Sequence, residues 1–449
     1  MKNTLPFIPP VEDIKHKPIR REVYEQSIDL YDEGKHIEAF HRLLDYLNDE
    51  IRTKYGNEQG TEFHIPHGSI VLDIYIHDDS IHIEADFLNI PEKGRVAMLR
   101  QVADLNINRL LLAGFVKEGD KLKMRYVTPL AQSHPHKIYG VLQNICYVGD
   151  RYDDEFCTKF KATRCYEPQV TPYNADAVTH VYEGLQTVGK ATLEAIAEYN
   201  SMRAYGYSWN VLCTTFYQIA YFANPQGQFY NDLEKAIDDM DDERPIEELV
   251  SKGTEYLKRL LATPKEDLAK DLYIIDKLVS NRRSASLQNI QELFKSVYED
   301  ATEAMQQSDF ERSAVRMLYI LYEAYFYNDI PDDISSMLTH ALNEAGGMPV
   351  EKASEILYDT LDDIMEGNIS AKSPAGTPAS PINDAAAQMM QQASAAAAEM
   401  QKKMMEKMSG SDIAELQQKM TEAMARGDMQ EYMRLAGELQ QKMMNNLFN

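Results

Sequence analysis

The sequence lacks the features that mark membrane and secreted proteins. Its 449 residues contain no run of about 18 apolar positions, and it therefore predicts no membrane span. The N-terminal stretch MKNTLPFIPPVEDIKHK holds three prolines and no apolar core of a signal peptide. The four cysteines include no C-x-x-C pair and are interpreted as reduced thiols. Together these absences predict a cytoplasmic protein.

Basic residues are scarce relative to acidic ones. The chain has 46 Lys and Arg against 71 Asp and Glu, which is a formal net charge of -25. Because nucleic-acid phosphates and anionic lipids attract basic surfaces, we expect neither as a partner.

Motifs for catalysis and cofactor binding are also missing. There is no G-x-x-x-x-G-K-[ST] phosphate loop, no G-x-G-x-x-G after a strand and no G-x-S-x-G nucleophile turn. We therefore predict that the protein is not an enzyme and has no cofactor.

What the sequence does contain is a change of hydrophobic period in its first third. Residues 20–56 have apolar side chains at helical spacing and predict a helical hairpin. Residues 62–88 alternate with period two and predict a short strand followed by a hairpin with one buried face. A helix, a second hairpin and a long helix follow at 92–106, 110–130 and about 136–160.

This order of elements is carried by the stretch GSIVLDIYIHDDSIHIEADFLNIPEKGRVAMLRQVADLNINRLLLAGFVKEGDKLKMRYVTPL. It resembles the YbjN-like family of sensory transduction regulators, which shares its fold with type III secretion chaperones. The resemblance covers about residues 20–165. It implies an α+β sandwich that often forms a homodimer and holds other polypeptides, and it brings no catalytic motif.

The remaining chain predicts helices and a compositionally distinct tail. The predicted helices are 174–201, 203–224, 228–242, 245–262, 264–281, 286–306, 309–327, 331–345 and 349–367. We therefore predict an α+β protein with five parts: an N-terminal extension (1–19), the chaperone-like domain (20–167), an all-helical domain (168–369), a Pro/Ala/Ser linker (370–382) and a Met/Gln-rich helical tail (383–449).

The first hairpin concentrates side chains that can bind metals. We expect His77 to face His82, with Tyr75 opposite Glu84 and Asp73 opposite Asp86. Two interpretations are open. The weak candidates His77, His82 and Glu84 could bind a divalent ion, or the pattern could be a solvated sheet face, which strand alternation alone explains. We predict the solvated face and no metal.

The tail carries the strongest indication of function. It holds 12 of the 22 methionines, and unbranched thioether side chains adapt to apolar partners of different shape. The predicted partner-binding residues are Met404, Met408, Leu416, Met420, Met424, Met429, Met433, Leu439 and Met443. Such helices need a surface to cover their apolar stripes, which can be the body of the protein, another copy or a client polypeptide.

We therefore predict a non-enzymatic adaptor or chaperone-like protein. It would capture apolar polypeptide segments with the tail and with a groove on the body. The alternative is a structural or regulatory homo-oligomer in which the tail is the multimerisation element.

Overall fold

An antiparallel sheet is the framework of the first half of the protein. The structure is a computed structural model that describes residues 1–11 and 20–369. The strand order is β1-β2-β3-β5-β4, and the short strand β6 pairs with the end of β3. These strands are β1 (Glu62–His67), β2 (Ile70–His77), β3 (Ser80–Asn89), β4 (Gly114–Glu118), β5 (Lys121–Pro129) and β6 (Thr163–Arg164).

Helices cover one face of this sheet. They are α1 (Arg21–Asp32), α2 (His36–Leu47), α3 (Ile51–Tyr55), α4 (Arg95–Asn108) and α5 (Pro135–Phe160). The alternating apolar residues of the strands point toward these helices, and Leu72, Ile83 and Met124 are fully buried. The α+β class and the order helix, three strands, helix, two strands, helix are confirmed, with the short α3 as an addition.

The turn between β2 and β3 differs from the prediction. Asp78–Asp79 form it alone, with φ of 48° and 55°, as a two-residue type I′ hairpin turn requires. Aspartate enters this left-handed region more readily than most residues. The short turn pairs Tyr75 with His82 and His77 with Ser80, so the predicted pairing of His77 with His82 is wrong. The predicted pairs of Tyr75 with Glu84 and of Asp73 with Asp86 are also wrong, because Tyr75 pairs with His82 and Asp73 pairs with Glu84.

The second half of the described chain is mainly helical. Its helices are α6 (Ala175–Ser201), α7 (Tyr205–Ala223), α8 (Gly227–Met240), α9 (Ile246–Leu261), α10 (Lys265–Leu268), α11 (Leu287–Gln306), α12 (Phe310–Tyr327), α13 (Asp332–Ala345) and α14 (Val350–Glu366). Eight predicted helices are confirmed to within two residues at each end. Two short ladders join them, formed by β7 (Val170–Pro172) with β8 (Tyr273–Ile275) and by β9 (Arg283–Ser284) with β10 (Asn328–Asp329).

The predicted helix at 264–281 is wrong. Helix α10 ends after four residues, and β8 then pairs antiparallel with β7. Aromatic and β-branched side chains, which β8 contains, favour a strand where a partner strand is available. The chain next passes to the α+β half, where Leu278 and Val279 join the hydrophobic core beneath the sheet.

Polar contacts hold this crossing segment in place. The Leu278 N–H donates to Nδ1 of buried His67 at 2.9 Å. Lys277 Nζ lies 2.8 Å from Asp150 Oδ2 on α5. Gly68 beside them has a φ of +54°, and a Cβ there would overlap the Asp150 carboxylate. We call the contacts of His67, Asp150, Lys277 and Leu278 the clamp.

The clamp predicts a loss of stability on mild acidification. Burial lowers the pKa of His67 from 6.5 to about 4, with Asp150 opposing and Lys277 adding to the effect. Between these pH values the unfolded chain binds a proton that the folded chain does not. The free energy of unfolding should therefore fall as pH drops from 6.5 toward 4, by at most ~3 kcal/mol from this residue. Urea unfolding at about pH 7 and about pH 4.5 measures it.

The control for this prediction is His67→Gln. Its amide oxygen can accept from the Leu278 N–H without titrating. The comparison is needed because burial raises the pKa of Asp153 to about 6, and this carboxyl titrates in the opposite sense. The wild type should lose stability relative to the variant as pH falls, and parallel pH curves would exclude His67 as the source.

Candidate polypeptide-binding surface

An apolar patch lies on the open side of α4 and on the loop after it. Ile107, Leu111 and Leu112 are 81%, 82% and 56% exposed, and Val96 is 65% exposed. Val96 and Ile107 lie ~16 Å apart, three helical turns along the same face of α4, with exposed Arg100 and Ala103 between them. We call these four residues the α4 patch. Grouped, exposed aliphatic side chains are typical of interaction surfaces.

The loop that presents the leucines is held firmly. Asn144 on α5 donates from Nδ2 to the carbonyl of Arg109 at 2.9 Å and accepts the N–H of Leu111 at 3.0 Å. Leu110 between them is 4% exposed and anchors the loop in the core. The exposed side chains therefore stand on a braced backbone, which lowers the conformational entropy that this loop loses when a partner binds.

The charges around the patch are opposite in sign to those of the whole chain. Between positions 92 and 112 the cations are Lys93, Arg95, Arg100 and Arg109, and the acids are Glu92 and Asp104. Arg95 contacts Asp120 at 2.5 Å, and among residues 1–11 and 20–369 Arg100 has no ion-pair partner. By sequence the segment 92–112 carries a net charge of +2 on a protein of -25. Asp120 offsets the charge of Arg95, and the other cations favour a partner with acidic residues beside its apolar ones.

Ion pairs occupy the outer face of the sheet. Arg125 Nε lies 2.7 Å from Glu84 Oε1, and the same guanidinium contacts Glu118. Lys123 adds contacts at 3.2 Å to Glu118 and at 3.4 Å to Asp86. This face is solvated and largely charge-paired, as the alternating pattern of β2 and β3 predicts.

The weak metal candidates are not brought together on this face. His77 lies at the hairpin end and contacts Asp78 at 2.8 Å. His82 lies between Tyr75 and its neighbour on β5, and the carboxylate of Glu84 is held by Arg125. Among residues 1–11 and 20–369, no group of three or more His, Cys, Asp or Glu side chains is arranged to hold a metal ion.

The cysteines do not have the environment of catalytic nucleophiles. All four are free thiols, and Cys146 and Cys213 are buried. Burial raises the pKa of both buried thiols well above the usual value, and it also raises the pKa of Cys157 and Cys165. The thiolate that would attack a substrate is therefore disfavoured at each position.

A cleft of about 640 Å³ lies between α8 and α9. The helices approach closely at Gly253, where a Cβ would lie 2.8 Å from Met240 Sδ. The buried hydroxyl of Tyr256 has no hydrogen-bond partner there. The charged residues of its lining are Asp232, Lys235, Asp239, Lys252, Glu255, Arg259, Asp267 and Asp271. Because both signs line the cleft, its electrostatics select no single class of ligand.

The predicted partner-binding residues of the tail fall outside the part of the chain that the structure describes. They are Met404, Met408, Leu416, Met420, Met424, Met429, Met433, Leu439 and Met443. Sequence reasoning missed the α4 patch because it assigned all three leucines at 110–112 to the second hairpin. The structure begins β4 only at Gly114. The asparagines around Ile107 were the available sign that helix and strand are separated by a loop.

Comparison with known proteins does not identify a relative. Neither the scan of protein families nor the search of curated proteins gave a match to this chain. The resemblance of residues 20–165 to the YbjN-like family stays a prediction. Within the described ranges, no helix combines the length and the apolar content that crossing a bilayer requires.

The brace under the patch predicts a local effect of Asn144→Ala. The substitution removes both hydrogen bonds to the loop, at a cost of about 1–3 kcal/mol. Amide hydrogen exchange should become at least about tenfold faster at Leu111, while the amides of β3 keep their rates. Gln143→Ala on the same helix is the matched control, and equal exchange in both variants would contradict the brace.

Proposed function

We propose that this protein is a non-enzymatic, polypeptide-binding adaptor or chaperone-like protein of the cytoplasm. The α4 patch is the observation that carries the proposal. It offers a braced apolar surface with a basic rim, so the partner is a polypeptide segment with apolar side chains flanked by acidic ones. The resemblance of the first half to secretion chaperones supports the same class of function.

The predicted tail residues provide a second apolar contact in this proposal. Their methionines suit clients of varied sequence, whereas the braced patch selects by position and charge. The net charge of -25 helps to keep a protein with exposed apolar side chains soluble.

The patch is tested with Ile107→Ser combined with Leu111→Ser. Both side chains are more than four-fifths exposed, so the substitutions should leave the fold intact. The probe is a fluorescent peptide that alternates leucine with glutamate, beside versions with lysine for glutamate and with serine for leucine. The leucine–glutamate peptide should bind best, and the double variant should bind it at least about tenfold more weakly because it buries less apolar area.

Met202→Ser is the matched control, because Met202 is an exposed apolar residue (57%) in the helical half. It should leave peptide affinity unchanged. If the double variant and the wild type bind the leucine–glutamate peptide with equal affinity, the α4 patch is not the binding surface. Sedimentation equilibrium is run in parallel. If the wild type is an oligomer that dissociates when residues 383–449 are deleted, and it takes up no peptide, the homo-oligomer alternative replaces the proposal.

A further inference from the structure

The first eleven residues lie extended along the helical half. The Thr4 N–H donates to the carbonyl of Met348 at 2.9 Å, and the Val350 N–H donates to the carbonyl of Lys2 at 3.1 Å. The Gly347 N–H donates to the carbonyl of Leu5 at 3.1 Å. The segment therefore pairs with the loop between α13 and α14 in the manner of an added antiparallel strand.

Side-chain pockets accompany this backbone pairing. Leu5 is 5% exposed and packs in a cluster with Tyr199. Phe7 and Ile8 pack against the main core of the helical half. A Cβ at Gly346 would lie 2.6 Å from the Cβ of Phe7, and a Cβ at Gly184 would lie 2.8 Å from Ile8 Cγ2. Gly184 and Gly346 thus leave room for the segment. We call the surface of the helical half that contacts residues 1–11 the N-terminal groove.

Polar side chains in the groove recognise the main chain of the segment. Gln218 Nε2 donates to the carbonyl of Pro6 at 2.7 Å, and His180 Nε2 lies 2.8 Å from the carbonyl of Pro9. Further along, the Val11 N–H donates to the carbonyl of Phe222 at 3.0 Å. Contacts to main-chain atoms are available to any extended peptide, whatever its sequence.

One contact is incomplete. Gln218 is completely buried, and its Oε1 has no hydrogen-bond partner in the part of the chain that the structure describes. A side-chain amide can both donate to a carbonyl and accept an N–H. Pro6, whose carbonyl takes the Nε2 hydrogen, has no N–H to give in return. The chain's own segment therefore leaves a buried acceptor unsatisfied that another residue type at this position could satisfy.

We propose that the N-terminal groove is a binding site for an extended polypeptide, and that residues 1–11 are its occupant in cis. The partner has apolar side chains where Leu5, Phe7 and Ile8 lie and a residue other than proline where Pro6 lies. Its N–H donates to Gln218 Oε1. The groove shares no residue with the α4 patch, so either proposal can fail without the other.

The test uses the full chain with a specific protease site placed between residues 12 and 19. After folding, cleavage converts the segment into a dissociable peptide. Two fluorescent peptides are then offered, one with the sequence of residues 1–11 and one carrying Pro6→Ala. Both should bind the cleaved protein, and the Pro6→Ala peptide should bind about fivefold to tenfold more tightly. The uncleaved chain should bind both at least about tenfold more weakly, because the tethered segment competes at high effective concentration.

Gln218→Met is the matched variant. It keeps the length of the side chain and removes both the donor and the acceptor, so the two peptides should bind it equally. Failure of the cleaved wild type to take up either peptide, or equal affinity for both, would overturn the proposal. Uptake of the segment from a second copy, seen as a dimer by native mass spectrometry, would also overturn it in favour of exchange between protomers.

A second measurement covers the case in which cleavage unfolds the protein. In the intact chain, Pro6→Ala supplies the missing N–H, so hydrogen exchange of the Gly347 amide should slow about threefold or more. The same substitution in the Gln218→Met background should give no slowing. If Pro6→Ala leaves the exchange rate of the Gly347 amide unchanged in the wild-type background, the N–H at position 6 does not bind Gln218 Oε1 and the proposal fails.

Discussion

The packing of α5 against the sheet is the interaction on which the rest of the structure depends. One side of this 26-residue helix, including fully buried Ile145, closes the core of the α+β half. Residues on its remaining surface connect it to several other parts of the structure. Asn144 braces the loop of the α4 patch, Asp150 holds the crossing segment, and Arg151 forms an ion pair with Glu234 on α8. A shift of α5 on the sheet would therefore move the α4 patch together with the contacts that Asp150 and Arg151 make to the helical half.

The contacts between the halves include partly buried ion pairs. Arg151 on α5 forms an ion pair with Glu234 on α8, and Lys277 Nζ in the crossing segment lies 2.8 Å from Asp150 Oδ2. A buried ion pair adds little net stability over an apolar pair of the same shape, but a wrong arrangement leaves an unpaired charge that costs several kcal/mol. We infer that these pairs contribute mainly to the specificity of docking, whereas Leu278 and Val279 supply its apolar contact.

The sequence predicts the parts of this fold that local periodicity determines. Prediction fails where the structure of a segment depends on a partner that is distant in the chain. The sheet, α5 and eight of the later helices follow from spacing alone. The segment at 264–281 does not form the predicted helix because its partners, β7 and the core under the sheet, are far away in the chain. The α4 patch is not predicted because the sequence does not distinguish exposed Leu111 and Leu112 from buried Leu110. The three early prolines indicate an extension, but nothing in them reveals the groove that receives it.

Pro66 limits the ability of other chains to add a strand to the edge of the sheet. It lies in β1, an edge strand, and it removes one backbone donor from a ladder that another chain could otherwise extend. The opposite edge is the five-residue β4, which ends in Lys117 and Glu118. Both edges thus carry obstacles to the addition of further strands, whereas the N-terminal segment does pair, in the manner of an extra strand, with the loop at 347–350. A protein organised in this way can take up an extended chain without offering its own sheet as a template for amyloid-like stacking.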